Sequence, residues 1–202
     1  MPTRLVTPVR IRELQRKLYR KSKVETVYRF YALWDKVCRE DVLEEAWKRV
    51  RAKKGAGGVD GESIRDIETA GVPEFLRKLQ ADLKAGTYRS QPVRRVWIPK
   101  AKGGERPLGI PAVRDRVAQM AVKMVLEPIL EARFRPDSYG FRPRKGAQQA
   151  VQEVVRSLNQ GLVNVVDADI RDFFGQIPQD KLMKVIAKHV GHVNILGVNF
   201  PV

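Results

Sequence analysis

Cysteine is almost missing from this chain. Cys38 is the only one in 202 residues, so no internal disulfide can form. His189 and His192 are the only histidines, and one thiol with two imidazoles does not suit a zinc site. Cys38 falls in a helical pattern and reads as a small buried hydrophobe rather than a nucleophile. No apolar run approaches the ~18 residues of a membrane span, which excludes one here. Met1 is followed by a basic stretch without an apolar signal core, so the expected location is the cytoplasm. Acid is scarce as well. The chain holds 23 Asp+Glu against 39 Lys+Arg, a formal charge of +16. That exceeds what solubility asks of a small protein and implies a polyanionic partner, most simply a phosphate backbone. A membrane surface is the weaker reading, because no long helix pairs a basic face with a bulky apolar one. Hydrophobic residues make up 43%, enough for a core in one large or two small domains.

Residues 1–23 hold eight basic residues and one acid, Glu13. Leu14 and Leu18 recur at i,i+4, which predicts a basic amphipathic helix from Val9 to Lys23. It is open between a solvated tail and an arm laid on RNA or DNA through Arg16, Lys17 and Arg20. Glu25 to Val37 also reads as helix, its aromatics Tyr28, Phe30, Tyr31 and Trp34 taken as core rather than base-stacking platforms. Asp41 and Glu44 form a capping pattern before a helix that buries Leu43, Ala46, Trp47 and Val50. Four glycines between Gly55 and Gly61 end it. That loop lets phosphates approach main-chain N–H groups, but it lacks the spacing and the Lys-Ser/Thr of a P-loop.

A helix from Pro73 to Ala85 follows, with Phe75, Leu76, Leu79 and Leu83 inward and Gly86 as its stop. Tyr88–Arg89 and Val93–Ile98 read as strand, Lys100–Glu105 as a hairpin tip turned by Gly103-Gly104, and Arg106–Pro111 as the return limb. Asp115 to Glu131 is a helix that Pro128 should end or bend near Glu127. Pro136–Gly146 is loop. Ala147 to Leu158 is a helix with Ala147, Ala150, Val151, Val154, Val155 and Leu158 inward, closed by Gly161. A strand through Val163–Asp169 and a last helix from Gln179 to about His189 complete the pattern. The tail from Gly191 changes character, with no charge apart from His192.

The run Val163-Asn164-Val165-Val166-Asp167-Ala168-Asp169-Ile170-Arg171-Asp172-Phe173-Phe174 carries the chemistry. Phosphoryl transfer needs divalent metal held by carboxylates. Strand alternation puts Asp167 and Asp169 on one face, and the position nearest the strand end favours Asp169 as ligand. Asp167 stays open between a ligand, an acid supporting one and an ordinary strand residue. The plain alternative for the pair is an exposed strand terminus. Phe173 and Phe174 are core by default, or one forms a floor that rejects a ribose 2′-OH. Lys100 and Arg106 flank the hairpin tip, where two cations on opposing limbs would clamp a triphosphate on closure. A solvated basic hairpin is the alternative. Arg114 and Arg116 are candidates for template phosphates.

Several segments together resemble the reverse transcriptases encoded by bacterial group II introns, the intron-encoded reverse transcriptase/maturase proteins. They are Gly57–Gly61, Tyr88–Lys100, Arg106–Pro111 with Asp115, Arg116 and Gln119, Ser138–Pro143, and Asp167–Phe174, in family order across roughly residues 10–190. The resemblance implies an α+β fold: part of a right-hand polymerase, with mostly helical fingers, a β-hairpin, and the first palm strand and helix. It divides the chain into a basic helical extension (1–40), fingers (41–161), the start of a palm (162–190) and an atypical tail (191–202). It implies RNA-directed DNA polymerisation, with Asp169 as catalytic residue and first metal ligand, the Ile170 carbonyl as a further ligand and Mg²⁺ as the ion. Lys100, Arg106 and Phe174 become the contacts to the incoming dNTP, Phe174 as steric gate. Arg16, Lys17, Arg20, Arg114, Arg116 and Arg142 become nucleic-acid contacts, to an RNA template or intron and primer DNA.

The chain departs from that pattern after Phe174. The family's second palm motif, two adjacent acids after Tyr-Ala, is absent. Glu40-Asp41 and Glu44-Glu45 are the only adjacent acid pairs, both early in the chain. The expectation is a truncated protein, with half of a two-metal site, inactive alone unless another polypeptide supplies the missing palm and thumb. The uncharged tail suggests a frameshift or broken gene. The alternatives are a non-catalytic basic RNA-binding module and a remnant that does not fold stably.

Overall fold

The computed structural model describes residues 7–101, 103–170 and 172–191. The tail read as atypical lies outside the described residues beyond Gly191. The architecture is α+β, and its centre is a single long helix, α6 (Val113–Glu131). The α6 residues Val113, Val117, Ala118, Ala121, Met124, Val125 and Ile129 are all buried, so the helix is apolar on more than one side. Two helices cover it. α1 (Val9–Val24) presses Ile11 and Leu18 inward, and α3 (Glu40–Ala52) brings Leu43, Ala46, Trp47 and Val50. The first helix is thus part of the core and not a detached arm.

Of the end or bend expected at Pro128 near Glu127, the end does not occur: α6 runs on to Glu131. The reason lies in α1. Proline has no N–H, so the Met124 carbonyl loses its helical partner. Gln15 Nε2 donates to that oxygen at 3.0 Å. Seven residues on, Ser22 Oγ donates to the Ile129 carbonyl at 2.9 Å, one of the carbonyls left open at the end of the helix. An i,i+7 pair lies on one face of α1, so one helix supplies both donors.

The segment expected to be helical over Glu25–Val37 is mostly not. α1 closes at Val24, and only α2 (Trp34–Val37) is helical. Phe30 forms an isolated parallel bridge to Val190: its N–H donates to the His189 carbonyl and its carbonyl accepts from Gly191 N–H, each at 2.8 Å. A residue whose two backbone groups are taken from across the fold cannot also serve a helix. Phe30 and Trp34 are buried, whereas Tyr31 is exposed. The Asp41 capping pattern also fails. Arg39 Nη2 and Nε hold the Asp41 carboxylate at 2.6 and 2.9 Å, and α3 starts a residue earlier without a side-chain cap. That ion pair keeps the Asp41 carboxyl below its ordinary range. Burial beneath these helices pushes the Cys38 thiol up to about 11, in line with an inert core role.

Sequence patterns missed α4 (Ile64–Ala70). Ser63 Oγ accepts from Asp66 N–H at 3.2 Å, and the Asp66 carboxylate accepts from Ser63 N–H at 2.8 Å, a reciprocal cap that opens this short helix. α5 (Val72–Ala85) follows as expected, with Leu76, Leu79 and Leu83 buried and Gly86 left-handed at φ 72°.

β1 (Arg94–Pro99) and β2 (Glu105–Ile110) form the antiparallel hairpin, with Gly103 and Gly104 at positive φ in its turn. Tyr88–Arg89 is not strand; Tyr88 instead drops into the core. Pro136–Gly146 is irregular, as read.

α7 (Ala147–Asn159) forms where its periodicity predicts, but the stripe read as inward is not buried: Val151 is 60% exposed, and Val154, Val155 and Leu158 are exposed too. Likewise no strand forms over Val163–Asp169, and Val163, Val165, Val166 and Ile170 are exposed. Both expectations fail for one reason. A helix stripe needs a surface to cover and a strand needs a ladder partner. The hairpin strands pair only with each other among the described residues, and nothing there covers α7. α8 (Phe173–Gln176) and α9 (Gln179–Ala187) end the described structure. No helix among the described residues is long and apolar enough to cross a membrane.

Candidate functional site

The hairpin carries the first candidates. Ile98 pairs with Arg106 in the register, and the Lys100 N–H donates to the Gly104 carbonyl at 2.9 Å just beyond. Directly opposed residues share a face, and alternation along β1 carries Lys100 to the face of Ile98 and Arg106. Both cations are exposed. Two strands alone are marginal in water, so the ribbon depends on its base. There the buried Asp115, in the first turn of α6, accepts from the Tyr88 hydroxyl at 2.6 Å and from Gln91 N–H at 2.9 Å. Burial and that carboxylate push the Tyr88 phenol well above its usual range, so it stays a donor. Gly58 lies against the Ala112 backbone, where a Cβ would come within 2.5 Å. The glycine loop is thereby pressed onto the start of α6.

Asp167, Asp169 and Ile170 sit on the exposed segment before α8. Asp172, at φ 49°, turns the chain into that helix. Phe173 is half exposed, and the Phe174 side chain lies outside what the structure describes. Among the described residues no three His, Cys, Asp or Glu side chains gather to hold a metal ion. Asp167 and Asp169 are thus exposed carboxylates that no third such side chain joins among the described residues.

The candidate nucleic-acid contacts divide into two sets. Arg16, Lys17 and Arg20 stand exposed on the outer face of α1, with Arg10, Arg12, Lys21 and Lys23. The other three are engaged within the fold. Arg114 pairs with Asp82 and lies 5.4 Å from the Tyr88 ring centre. Arg116 donates to the Ala56 carbonyl at 2.5 Å, and its Nε is buried without a partner. Burial lowers its pKa, with Asp60 opposing. Arg142 holds Glu131 at 2.7 Å through Nη2 and also donates to the carbonyls of Arg135 and Ser138, bracing the loop after α6. In that loop Phe141 is fully exposed on left-handed backbone, φ 54°.

A further basic feature escaped the sequence reading. A cleft of about 660 Å³ opens between the end of α3, the glycine loop and α4, lined by Lys48, Arg51, Lys54, Gly55, Ser63 and Arg65 among others. The i,i+3,i+6 spacing of Lys48, Arg51 and Lys54 was visible in the sequence. The facing wall was not, because α4 itself went unread.

Comparison with known proteins gives these elements a context. The reverse transcriptase (RNA-dependent DNA polymerase) family matches residues 98–196, from the hairpin through the Asp169 segment. Protein YkfC of Escherichia coli is 34% identical over 92% of this chain and 50% of its own length. The group II intron-encoded protein LtrA of Lactococcus lactis is 35% identical over 78% of this chain and 26% of its own. The putative COX1/OXI3 intron 1 protein of Saccharomyces cerevisiae is 30% identical over 74% of this chain and 18% of its own. The chain thus spans half or less of these relatives. The matched region takes in Lys100, Arg106, α6, α7 and the Asp169 segment, so residues 98–196 belong to the reverse transcriptase family, and the chain is similar to group II intron-encoded proteins over part of their length.

Proposed function

We propose that this chain forms the N-terminal portion of a group II intron reverse transcriptase: a helical extension over 1–40, fingers over 41–161 and the start of a palm over 162–190. In this reading it binds RNA template or intron, primer DNA and incoming dNTP in the cytoplasm. The observation that carries it is the span of the family match, which takes in Lys100, Arg106 and Asp169. Lys100 and Arg106 offset the triphosphate charge from one face of a ribbon able to close over it. Asp169 provides the first carboxylate for a divalent ion, Mg²⁺ in our reading, with the Ile170 carbonyl beside it. Phe174 excludes the ribose 2′-OH. Arg16, Lys17 and Arg20 hold RNA phosphates, while Arg114, Arg116 and Arg142, engaged by Asp82, the Ala56 carbonyl and Glu131, brace the surfaces around the nucleic acid.

The residues present do not complete the site. Glu40-Asp41 and Glu44-Glu45, the only adjacent acid pairs, lie in α3, where Glu45 is buried against Arg49. We therefore propose that the chain alone does not extend a primer and that a palm and thumb polypeptide would supply the remaining acids. The exposed stripe of α7 and the unpaired 163–169 segment are consistent with that. Primer extension by the purified chain with Mg²⁺ tests this, and the expected result is no product. Extension abolished by Asp169→Ala would show that the chain needs no partner. A second reading, a basic module that grips RNA without chemistry, is favoured by the seven exposed cations of α1. It expects activity to stay absent even when a palm and thumb fragment of a relative is added.

A further inference from the structure

The side of α3 turned toward α5 carries a groove that none of the roles above uses. We propose that it docks an amphipathic helix of a protein partner, one with acids in its first turn and lysines or arginines in its last. The inference does not rest on the nucleic-acid-binding reading above.

The groove follows from two antiparallel helices. Trp47, near the end of α3, meets Phe75, near the start of α5, with ring centres 5.6 Å apart. Gln80, late in α5, donates through Nε2 to the carbonyl of Cys38, just before α3, at 2.8 Å. Trp34 Nε1 likewise donates to the Leu83 carbonyl at 2.9 Å. The pair is thus fastened at both ends, and a groove held in place loses little freedom when it is filled. Its volume is about 540 Å³. Glu40, Leu43, Glu44 and Trp47 line it at i, i+3, i+4 and i+7, a single face of α3. Leu43, Trp47 and Leu76, all buried, make an apolar floor. An apolar floor between polar lips is what the apolar face of an amphipathic helix covers.

The charges choose the occupant. The chain carries +16, yet Glu40 and Glu44 stand exposed on the α3 lip, and among the described residues no cation pairs with either. On the α5 lip Arg77 is taken by Glu74 at 2.7 Å. Lys48, one residue past Trp47, is exposed and also without an ion pair among the described residues. Two open carboxylates repel a phosphate backbone, so the groove does not suit nucleic acid. From Glu40 to Lys48 is about 12 Å of helix, with acids at one end and a cation at the other. A helix with acids in its first turn and bases in its last complements its own dipole. Laid with its C-terminal end over Glu40 and Glu44 and its N-terminal end over Lys48, such a helix runs antiparallel to α3. Its parent protein should be neutral or acidic overall, because the rest of this surface repels a net cation.

The probe is a dye-labelled helical peptide of about 14 residues, bridged on its polar face to hold the helix. It carries leucines at i, i+3, i+4 and i+7, with glutamates in the first turn and lysines in the last. A second peptide has those charges exchanged. Anisotropy with the full chain near 0.1 M salt should show the first bound about 10-fold more tightly than the second. Glu40→Lys/Glu44→Lys should invert that order. The inversion includes a gain of binding, which misfolding does not produce. Alanine in place of the leucines should abolish binding of the first peptide. Equal affinity for the two peptides, an order unchanged in the variant, or no binding up to about 1 mM would each overturn the proposal. Sedimentation of the chain alone, expected to give monomers, tests another occupant. Dimers that the same variant dissolves would put a second copy in the groove and overturn the partner assigned here.

Discussion

Asp115 shows how one side chain sets the geometry of a distant element. Both of its oxygens are used, one by the Tyr88 hydroxyl and one by the Gln91 N–H, with the carboxylate buried. Removing it strands a phenol and an amide, each costing about 1–3 kcal/mol when left unmade. Asp115→Ala should therefore lower stability by about 2–4 kcal/mol in denaturant unfolding, with hydrogen exchange at the base of β1 rising more than in α3. An unchanged midpoint would mean the hairpin is anchored otherwise. Asp115 was legible as the start of a helix and as a member of a motif. Its partner was not, because Tyr88 lies 27 residues away and carries an aromatic strand signal. The same limit hid the brace between Arg142 and Glu131, and left Arg142 and Arg116 looking like free cations.

Elements were read best where local signals and packing agree. α1, α5 and α6 each present an apolar stripe to a surface that exists, and their bounds follow the pattern to within a residue or two. The reading failed at Phe30, where a bridge from residues 189–191 overrides helix periodicity, and it did not foresee how α6 continues past Pro128, where a donor from another helix replaces the missing one. The second case makes a sharp prediction. Gln15→Ala leaves the Met124 carbonyl unpaired and should cost about 1–3 kcal/mol. Pro128→Ala restores a backbone N–H for the same oxygen. In that background Gln15→Ala should cost about 1 kcal/mol less, a coupling that a double-mutant cycle on thermal unfolding would measure. Strict additivity would show that the two donors do not serve one acceptor. α7 and the 163–169 segment illustrate the opposite limit. Periodicity gave the helix, but what a stripe faces is a property of the remaining fold, and the described residues offer it nothing.

At the scale of the whole molecule two tendencies oppose each other. A formal charge of +16 keeps copies apart. The uncovered valines of α7 and of the stretch after it pull copies together. Ions shorten the first interaction and leave the second intact: the screening length falls from about 10 Å at 0.1 M to about 3 Å at 1 M. Static light scattering should thus find monomers in dilute buffer and growing assemblies as sodium chloride rises, the reverse of the usual remedy for a sticky basic protein. Replacing Val151, Val154 and Val155 with Thr should keep the scattering flat. The purification step meant to strip bound polynucleotide, a concentrated salt wash, is then the one most apt to precipitate the chain.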